Sequence, residues 1–361
     1  MNIVLLDFNF EAVALVDMFE SFIWTDRYNS YGDFEFYAKA SKENFELFKQ
    51  GFYLQLDESD HLMIVECIET IGDSEDGNKI RVTGRSLESI LDRRIVWSQT
   101  NISGDLQNGI KTLINDAITN PAIPQRKIDN FIFKESTDSR ITKIPIEDAQ
   151  YTGDNLYDVI INLCQEHKVG FKILLDENKN FVFSLYLGTD RTDTQTDTIS
   201  VIFSNDFDNI INSDYKDDIT TYKNIALVAG EGEGISRKTA VVGNEENTGI
   251  DRRELFVDAR DISSNGGAVV ISADKYKKLL IKRGETKLSE NDITREFDGK
   301  VVPDGLFKYG IDYFLGDLVH FYDDYNNGSR VRVDEMIFSW DSSEKTSYPT
   351  FVILDKENKE T

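Results

Sequence analysis

Three histidines, His61, His167 and His320, and two cysteines, Cys67 and Cys164, are the whole inventory of imidazole and thiol groups for metal or nucleophilic chemistry. Cys164-Gln-Glu-His167 sets a thiol and an imidazole three positions apart on one helix face, the spacing of half a zinc site or of a thiol–imidazole pair. No second ligand pair lies in sequence reach, so the pair reads as a core cysteine and a helix-end histidine beside the negative C-terminal dipole. His61 follows Asp60 in a turn, and His320 alternates within a strand. The zinc-protease, nucleophile-elbow and phosphate-loop motifs are missing; Thr83-Gly-Arg-Ser86-Leu-Glu88 matches an elbow only superficially.

Paired acids such as Asp217-Asp218 and Asp323-Asp324 could in principle hydrolyse a glycosidic bond, which needs two carboxylates across a cleft. Among 65 acids such pairs arise by chance, and they carry little weight. Asp176 to Asn180 has oxygen ligands at alternate positions but Phe181 where a calcium loop needs glycine, so it reads as a hairpin turn. These residues predict no catalytic centre, no metal and no cofactor.

Gly230-Glu231-Gly232-Glu233-Gly234 is the most unusual local feature. A phosphate cradle would want a following helix and nearby positive charge, whereas Glu231 and Glu233 would repel a phosphate. The segment reads instead as an alternating glycine strand or bulge at a subunit or domain contact, where another backbone packs closely.

The elements that would position these residues fall into blocks. From Asn2 to Trp97 short period-two runs predominate, with helices expected at 42–49 after a Ser41 cap and at 87–93 after Ser86. Asp73 to Asn78 reads as a hairpin loop in which Gly77 takes positive φ. From about residue 100 the period becomes helical over Leu106 to Ile118 and Leu156 to Cys164, and strands at 169–175 and 180–187 follow. Residues 189–218 hold eight acids against two bases, which reads as a solvated connector or a sheet edge. Strands return from Tyr222, interrupted by a helix over 274–287 capped by Ser272, and Tyr325-Asn-Asn-Gly-Ser329 signals a type I′ hairpin. The expected class is α+β, predominantly β. The divisions are 1–99, a first β-domain; 100–188, an α/β insertion; 189–222, an acidic connector returning to the first domain; and 223–361, a second β-domain with a helical insertion near 272–290.

Lys and Arg number 40 and Asp and Glu 65, a formal charge of −25, which repels rather than attracts nucleic acid. No apolar run approaches the ~18 residues of a membrane span, so stable membrane insertion is not expected, and the N-terminus reads as a strand rather than a secretory signal. Cys67 and Cys164 have apolar surroundings suited to reduced core thiols in a chain folded in a cytoplasm. Trp24, Trp97 and Trp340 lie in strands or at strand ends with apolar neighbours, favouring core packing over sugar stacking.

Several stretches together resemble the Tal-type structural hub proteins at the tail tip, or baseplate, of long-tailed bacteriophages. They are Ser21-Phe-Ile-Trp-Thr-Asp-Arg-Tyr-Asn-Ser-Tyr-Gly-Asp-Phe-Glu35, Thr83 to Arg94, Ala229 to Gly234, Arg252-Arg253-Glu254-Leu-Phe-Val-Asp-Ala-Arg-Asp261 and Tyr313 to Val319. The resemblance implies two tail-tube-like β-barrel domains with an inserted α/β domain, assembled as a homotrimer. It implies a virion component joining the tail tube to the distal tail protein and other tail-tip proteins, with the tape measure protein as a neighbour and phage DNA passing only in transit. Gly230, Gly232, Gly234, Arg252, Arg253 and Glu254 are then the expected assembly contacts. The negative charge suits either a lumen through which DNA slides or an exterior kept soluble. Because the chain stops about seven residues after its last expected strand, a lytic or receptor-binding part would belong to another chain. The alternatives are a cell-wall hydrolase using paired carboxylates and a carbohydrate-binding receptor module.

Overall fold

A computed structural model describes residues 2–72, 77–265, 271–302, 305–322, 328–341 and 345–355. The fold is α+β and mostly strand, as expected. The expected Asn-Gly turn and the Asp323-Asp324 pair lie outside the described residues. Contacts divide the chain into two interleaved units: Met1–Ser89, Gly170–Lys216 and Arg295–Thr361 form one, and Ile90–Val169 with Asp217–Thr294 the other.

The first unit is organised by one long, mostly antiparallel sheet. From one edge its strands run Ile210–Asp218, Thr294–Val301, Lys345–Asp355, Gly328–Asp341, Ser21–Arg27, Asp33–Lys39, Lys79–Ser86, Leu62–Ile71, Tyr53–Leu56, Ile3–Leu6 and Ala12–Leu15. Among the described residues this hydrogen-bonded path stays open at both ends. Its central join pairs Arg27 with Glu335 through to Ser21 with Asp341, so the two ends of the sequence share one sheet. The linear division of the sequence could not show this, because pairing over such separations leaves no local pattern.

Period-two alternation does place the core. Ile80 and Val82 point inward between Lys79, Arg81 and Thr83, and with Trp24, Phe34, Phe36, Phe203, Phe321 and Phe351 they make a single apolar cluster. Each fully buried Phe contributes roughly 1.5–3 kcal/mol. Cys67 corrects the expectation of two core thiols. A register shift between Val65 and Cys67 reverses the phase of the strand, turning Cys67 outward while Ile68 packs on the core. Of the two readings of the acidic segment, the edge fits its end, where Ile210–Asp218 is the outer strand of the sheet, while Ile202–Ser204 pairs in parallel with Leu318–Tyr322 and ion pairs Arg191–Asp317 and Arg330–Asp190 (2.6 and 2.7 Å) tie its start down.

The Asp176–Asn180 turn is a hairpin, pairing Gly170–Leu175 with Phe181–Tyr186. Asp176 Oδ1 accepts from the Asn178 and Asn180 amides at 2.9 and 2.8 Å, so the oxygen closes the turn. Ser41 caps the helix Lys42–Leu47, and the segment after Ser86 is a 3₁₀ helix over Leu87–Arg93.

In the second unit a three-stranded sheet, ordered Thr239–Gly243, Ile225–Ala229, Glu254–Asp258, is covered on one face by the helix Ala273–Ser289. Ser272 caps that helix, accepting from the Lys275 amide. The same unit holds a ribbon of Thr100–Asp105 with Pro145–Tyr151 and the helices Leu106–Ile114 and Leu156–Glu166. Cys164 is fully buried and His167 caps the last turn, the structural reading given above. Burial alone pushes the Cys164 thiol far above its usual range, which leaves it unreactive.

Candidate functional site

Five-residue strands and an amphipathic helix make the second unit's small sheet one-sided. Ala226 and Val228, with Ala240, Val242 and Val257, face Tyr276, Leu279 and Leu280 of the helix. On the other face the central row reads Val241, Leu227, Phe256: Leu227 is in register with both neighbours. These three side chains are 45%, 45% and 60% exposed. Three apolar residues side by side on a sheet face, with the Arg237 guanidinium carbon 5.8 Å from the Phe256 ring centroid, differ from scattered surface apolars, which need no explanation.

The expected contact residues sit at the two ends of this row. The glycine segment is not an alternating strand. It is the turn joining Ile225–Ala229 to Thr239–Gly243, and Gly234–Ser236 is a 3₁₀ turn. Its backbone is closed internally, Gly230 N donating to Lys238 O at 2.8 Å and Lys238 N to Glu231 O at 2.8 Å. The close approach expected at glycine is real but is made by the chain itself. A Cβ on Gly230 would lie 2.3 Å from Tyr276 Oη, and one on Gly232 would lie 2.6 Å from Ser236 O at a φ of +99°. Gly232→Val should therefore cost about 1–3 kcal/mol in the stability of this unit, read by thermal unfolding; an unchanged midpoint would show the turn to be free.

Glu231 is held inside: its carboxylate accepts from Ser264 N and Oγ at 2.7 and 2.6 Å, and its amide donates to Tyr276 Oη at 2.8 Å. Burial would raise its pKa, but the Ser264 hydrogen bonds and Lys238 outweigh that and hold it below the usual carboxylate value.

At the opposite end Arg252 Nε donates to Glu254 Oε1 at 2.7 Å, and Arg253 donates from its backbone to Asn224 Oδ1 and from its guanidinium to Ile219 O. Glu254 pairs with Ile225 and Asp258 with Ala229, so the glycines and the Arg-Arg-Glu triplet are not brought together. Five residues of strand at roughly 3.3 Å each separate them, with the apolar row between. Sequence reasoning missed the row itself, although the register of three short strands is what exposes it.

A second feature, in the first unit, was also missed. His61 is buried with Nδ1 3.1 Å from Glu88 Oε1, close enough for an ion pair though not aligned as a hydrogen bond. Glu88 is completely buried, accepts from Ile173 N at 2.8 Å and takes a short hydrogen bond from Ser86 Oγ. Ser86 Oγ also accepts from Gly32 N. The Thr83 to Glu88 stretch is thus a buried polar junction. Burial favours neutral His61, yet the Glu88 and Asp26 carboxylates reverse this and raise its pKa to about 9. The buried acids are engaged: Asp26 accepts from Trp24 Nε1 at 2.8 Å, and Asp317 holds Arg191 and the amides of Thr189 and Phe314.

A family model described as siphovirus ReqiPepy6 Gp37-like protein matches residues 2–351. The chain belongs to this family. The resemblance to bacteriophage tail-tip proteins read from the sequence is thereby shown at family level. No curated protein matches the sequence. Among solved structures, the chain is similar to the 43 kDa tail protein of prophage MuSo2 from Shewanella oneidensis, at 14% identity over 98% of both chains with a TM-score of 0.57. It is similar to a tail protein from Neisseria meningitidis MC58, at 15% identity over 98% and 96% of the two chains with a TM-score of 0.54. A chain of the lidded Francisella PdpA-VgrG complex shares the fold at 11% identity and a TM-score of 0.50, and there 99% of this chain covers 52% of that one. These likenesses establish that this chain shares a fold with those proteins.

Proposed function

We propose that the chain is a non-enzymatic virion protein, a homotrimeric tail-tip hub that continues the tail tube and forms part of the genome ejection conduit. The observation that carries the reading is the family match over residues 2–351. The two halves of the long sheet, residues 1–89 on one side of the central join and 295–355 on the other, are the proposed tail-tube-like modules. The hub would fold in the host cytoplasm. It would act at the tail tip, against the distal tail protein, other tail-tip proteins and the tape measure protein, with DNA only passing through. Engagement of the buried carboxylates in internal bonds supports a structural over a hydrolytic role.

Charge supports a division of labour. The unit of Met1–Ser89, Gly170–Lys216 and Arg295–Thr361 holds 40 acids against 19 bases, a net −21. The other holds 25 acids against 21 bases, a net −4. Copies of the chain repel least through the nearly neutral unit, which is also where the exposed apolar row lies. We assign that face, with Arg252, Arg253 and Glu254 at one end and Gly230, Gly232 and Gly234 at the other, to contact with a second copy. The strongly acidic unit is the proposed DNA-facing part. Native mass measurement of the purified chain should give three times the 41.3 kDa of one copy. A strict monomer, both in solution and within assembled tails, would overturn the trimer.

A further inference from the structure

Trp97 is the exception among the tryptophans: Trp24 is fully buried and Trp340 packs on the core, but Trp97 is 59% exposed. It borders a cavity of about 260 Å³ whose lining includes Ser98, Asp116, Asn120 and Arg126. One exposed indole would mean little. Three further observations set this one apart.

The ring is held in place. Arg126 lies with its guanidinium carbon 5.3 Å from the Trp97 centroid, and it is itself anchored by a hydrogen bond to Ile95 O at 2.7 Å. The backbone next to Trp97 is fixed by the Val96 amide donating to Asp154 O and Val96 O accepting from Gly153 N. The opposite wall departs from α-helical geometry. After Ile114 the helix widens into a π-turn over Asn115–Thr119, closed by Asn120 N donating to Asn115 O at 2.9 Å, and Asp116 of that turn lines the cavity. Such turns are rare and recur at functional sites, because the extra residue re-aims side chains. The lining mixes an aromatic face with a carboxylate, an amide, a hydroxyl and a guanidinium. That is the set needed to stack on one face of a ring and hydrogen-bond groups around its edge.

We propose that this cavity is a saccharide-binding subsite, with Trp97 as the stacking platform and Asp116, Asn120 and Arg126 as hydrogen-bonding partners for ring hydroxyl or acetamido groups. A pyranose presents one apolar face and an equatorial rim of donors and acceptors, matching this distribution. The volume lies below the roughly 300–1,000 Å³ of pockets that engulf a drug-sized ligand, so it fits one sugar unit of a longer chain whose remainder stays in solvent. The site is independent of the assembly reading, since it needs only the fold of residues 96–126.

The test follows Trp97 indole fluorescence and its protection from acrylamide while the full chain is titrated with one of three probes. Tri-N-acetylglucosamine represents a peptidoglycan-type glycan, and maltotriose and rhamnose represent neutral polysaccharides. Saturable protection at millimolar concentrations by at least one probe is expected, and which class binds tells the two sources apart. Trp97→Ala, at an exposed position, should fold normally and lose the response, measured for that variant by calorimetry. Asp116→Asn should weaken binding at least tenfold, while Trp97→Phe should retain part of it. No saturable response to any probe, or calorimetric binding unchanged in Trp97→Ala, would overturn the proposal.

Discussion

Replacing Glu88 with alanine is expected to destabilise the chain by about 3–5 kcal/mol, far more than any surface charge deletion. Glu88 is completely buried, and its removal would leave an imidazolium at His61 without its counter-charge and the amide of Ile173 without its acceptor. The comparison is Glu66→Ala. Glu66 also meets a cation, Arg85, at 2.7 Å, but both side chains are partly exposed, and that loss should be about 1 kcal/mol or less. Urea unfolding followed by fluorescence of the buried Trp24, which donates to Asp26 beside the pair, reads both variants. Equal effects for the two would mean that His61 accommodates the loss by becoming neutral, and would remove the ion pair as an organising element.

The same pair sets a pH dependence with opposite slopes at its two ends. The folded pKa of His61 is raised from 6.5 to about 9, so its contribution is fully present below about pH 6.5 and lost as pH rises through about 9. A shift of this size in a fully buried group corresponds to about 3 kcal/mol. Burial would raise the pKa of Glu88, but His61, Ser86 and the Ile173 amide hold it below 4.5, so its contribution is present above that value and is lost on acidification. For Asp26 burial dominates and raises the pKa, which opposes Glu88 at low pH because protonation relieves its desolvation. Stability should therefore fall between pH 7 and pH 9, and His61→Gln should flatten that slope.

What the sequence made legible was local. Ser41 and Ser272 announced their helices because an N-cap acts within three residues. The Asp176 turn was readable because its hydrogen bonds close within four positions. The His61–Glu88 pair was not: a histidine in a turn and a glutamate after a serine carry no joint signature until two strands bring them together. Cys67 was misplaced because the bulge that reverses its strand has no marker residue, and Trp97 because apolar neighbours in sequence say nothing of which side faces solvent. Of the three glycines among the six expected contact residues, Gly230 and Gly232 are close-approach positions, but Tyr276 and Ser236 of the same chain supply the contact, and a Cβ on Gly234 would meet nothing within 4 Å. The join of Ser21–Arg27 to Gly328–Asp341 links positions some three hundred residues apart, which no window of sequence can contain.

Phe256→Asp is expected to abolish self-association while leaving the folded chain intact. Phe256 is the most exposed member of the row and lies on the face opposite the helix, so a charge there costs the isolated unit little. In a trimer the same position would bury an aromatic side chain, worth about 1.5–3 kcal/mol, and the aspartate would replace that gain with a desolvation penalty. At least a tenfold loss per contact follows from 1.4 kcal/mol, and a closed ring makes the contact three times. Leu227→Asp should act likewise from the centre of the row. Ile199→Asp, at a still more exposed apolar position in the acidic unit, serves as the control and should leave the mass unchanged. Native mass spectrometry and unfolding curves of the three variants separate loss of assembly from loss of fold. A Phe256→Asp chain that still assembles, beside an Ile199→Asp chain that does not, would move the contact to the acidic unit. Self-repulsion between copies carrying −21 there would then need neutralising by partners or counterions, and assembly should strengthen with added salt rather than be indifferent to it.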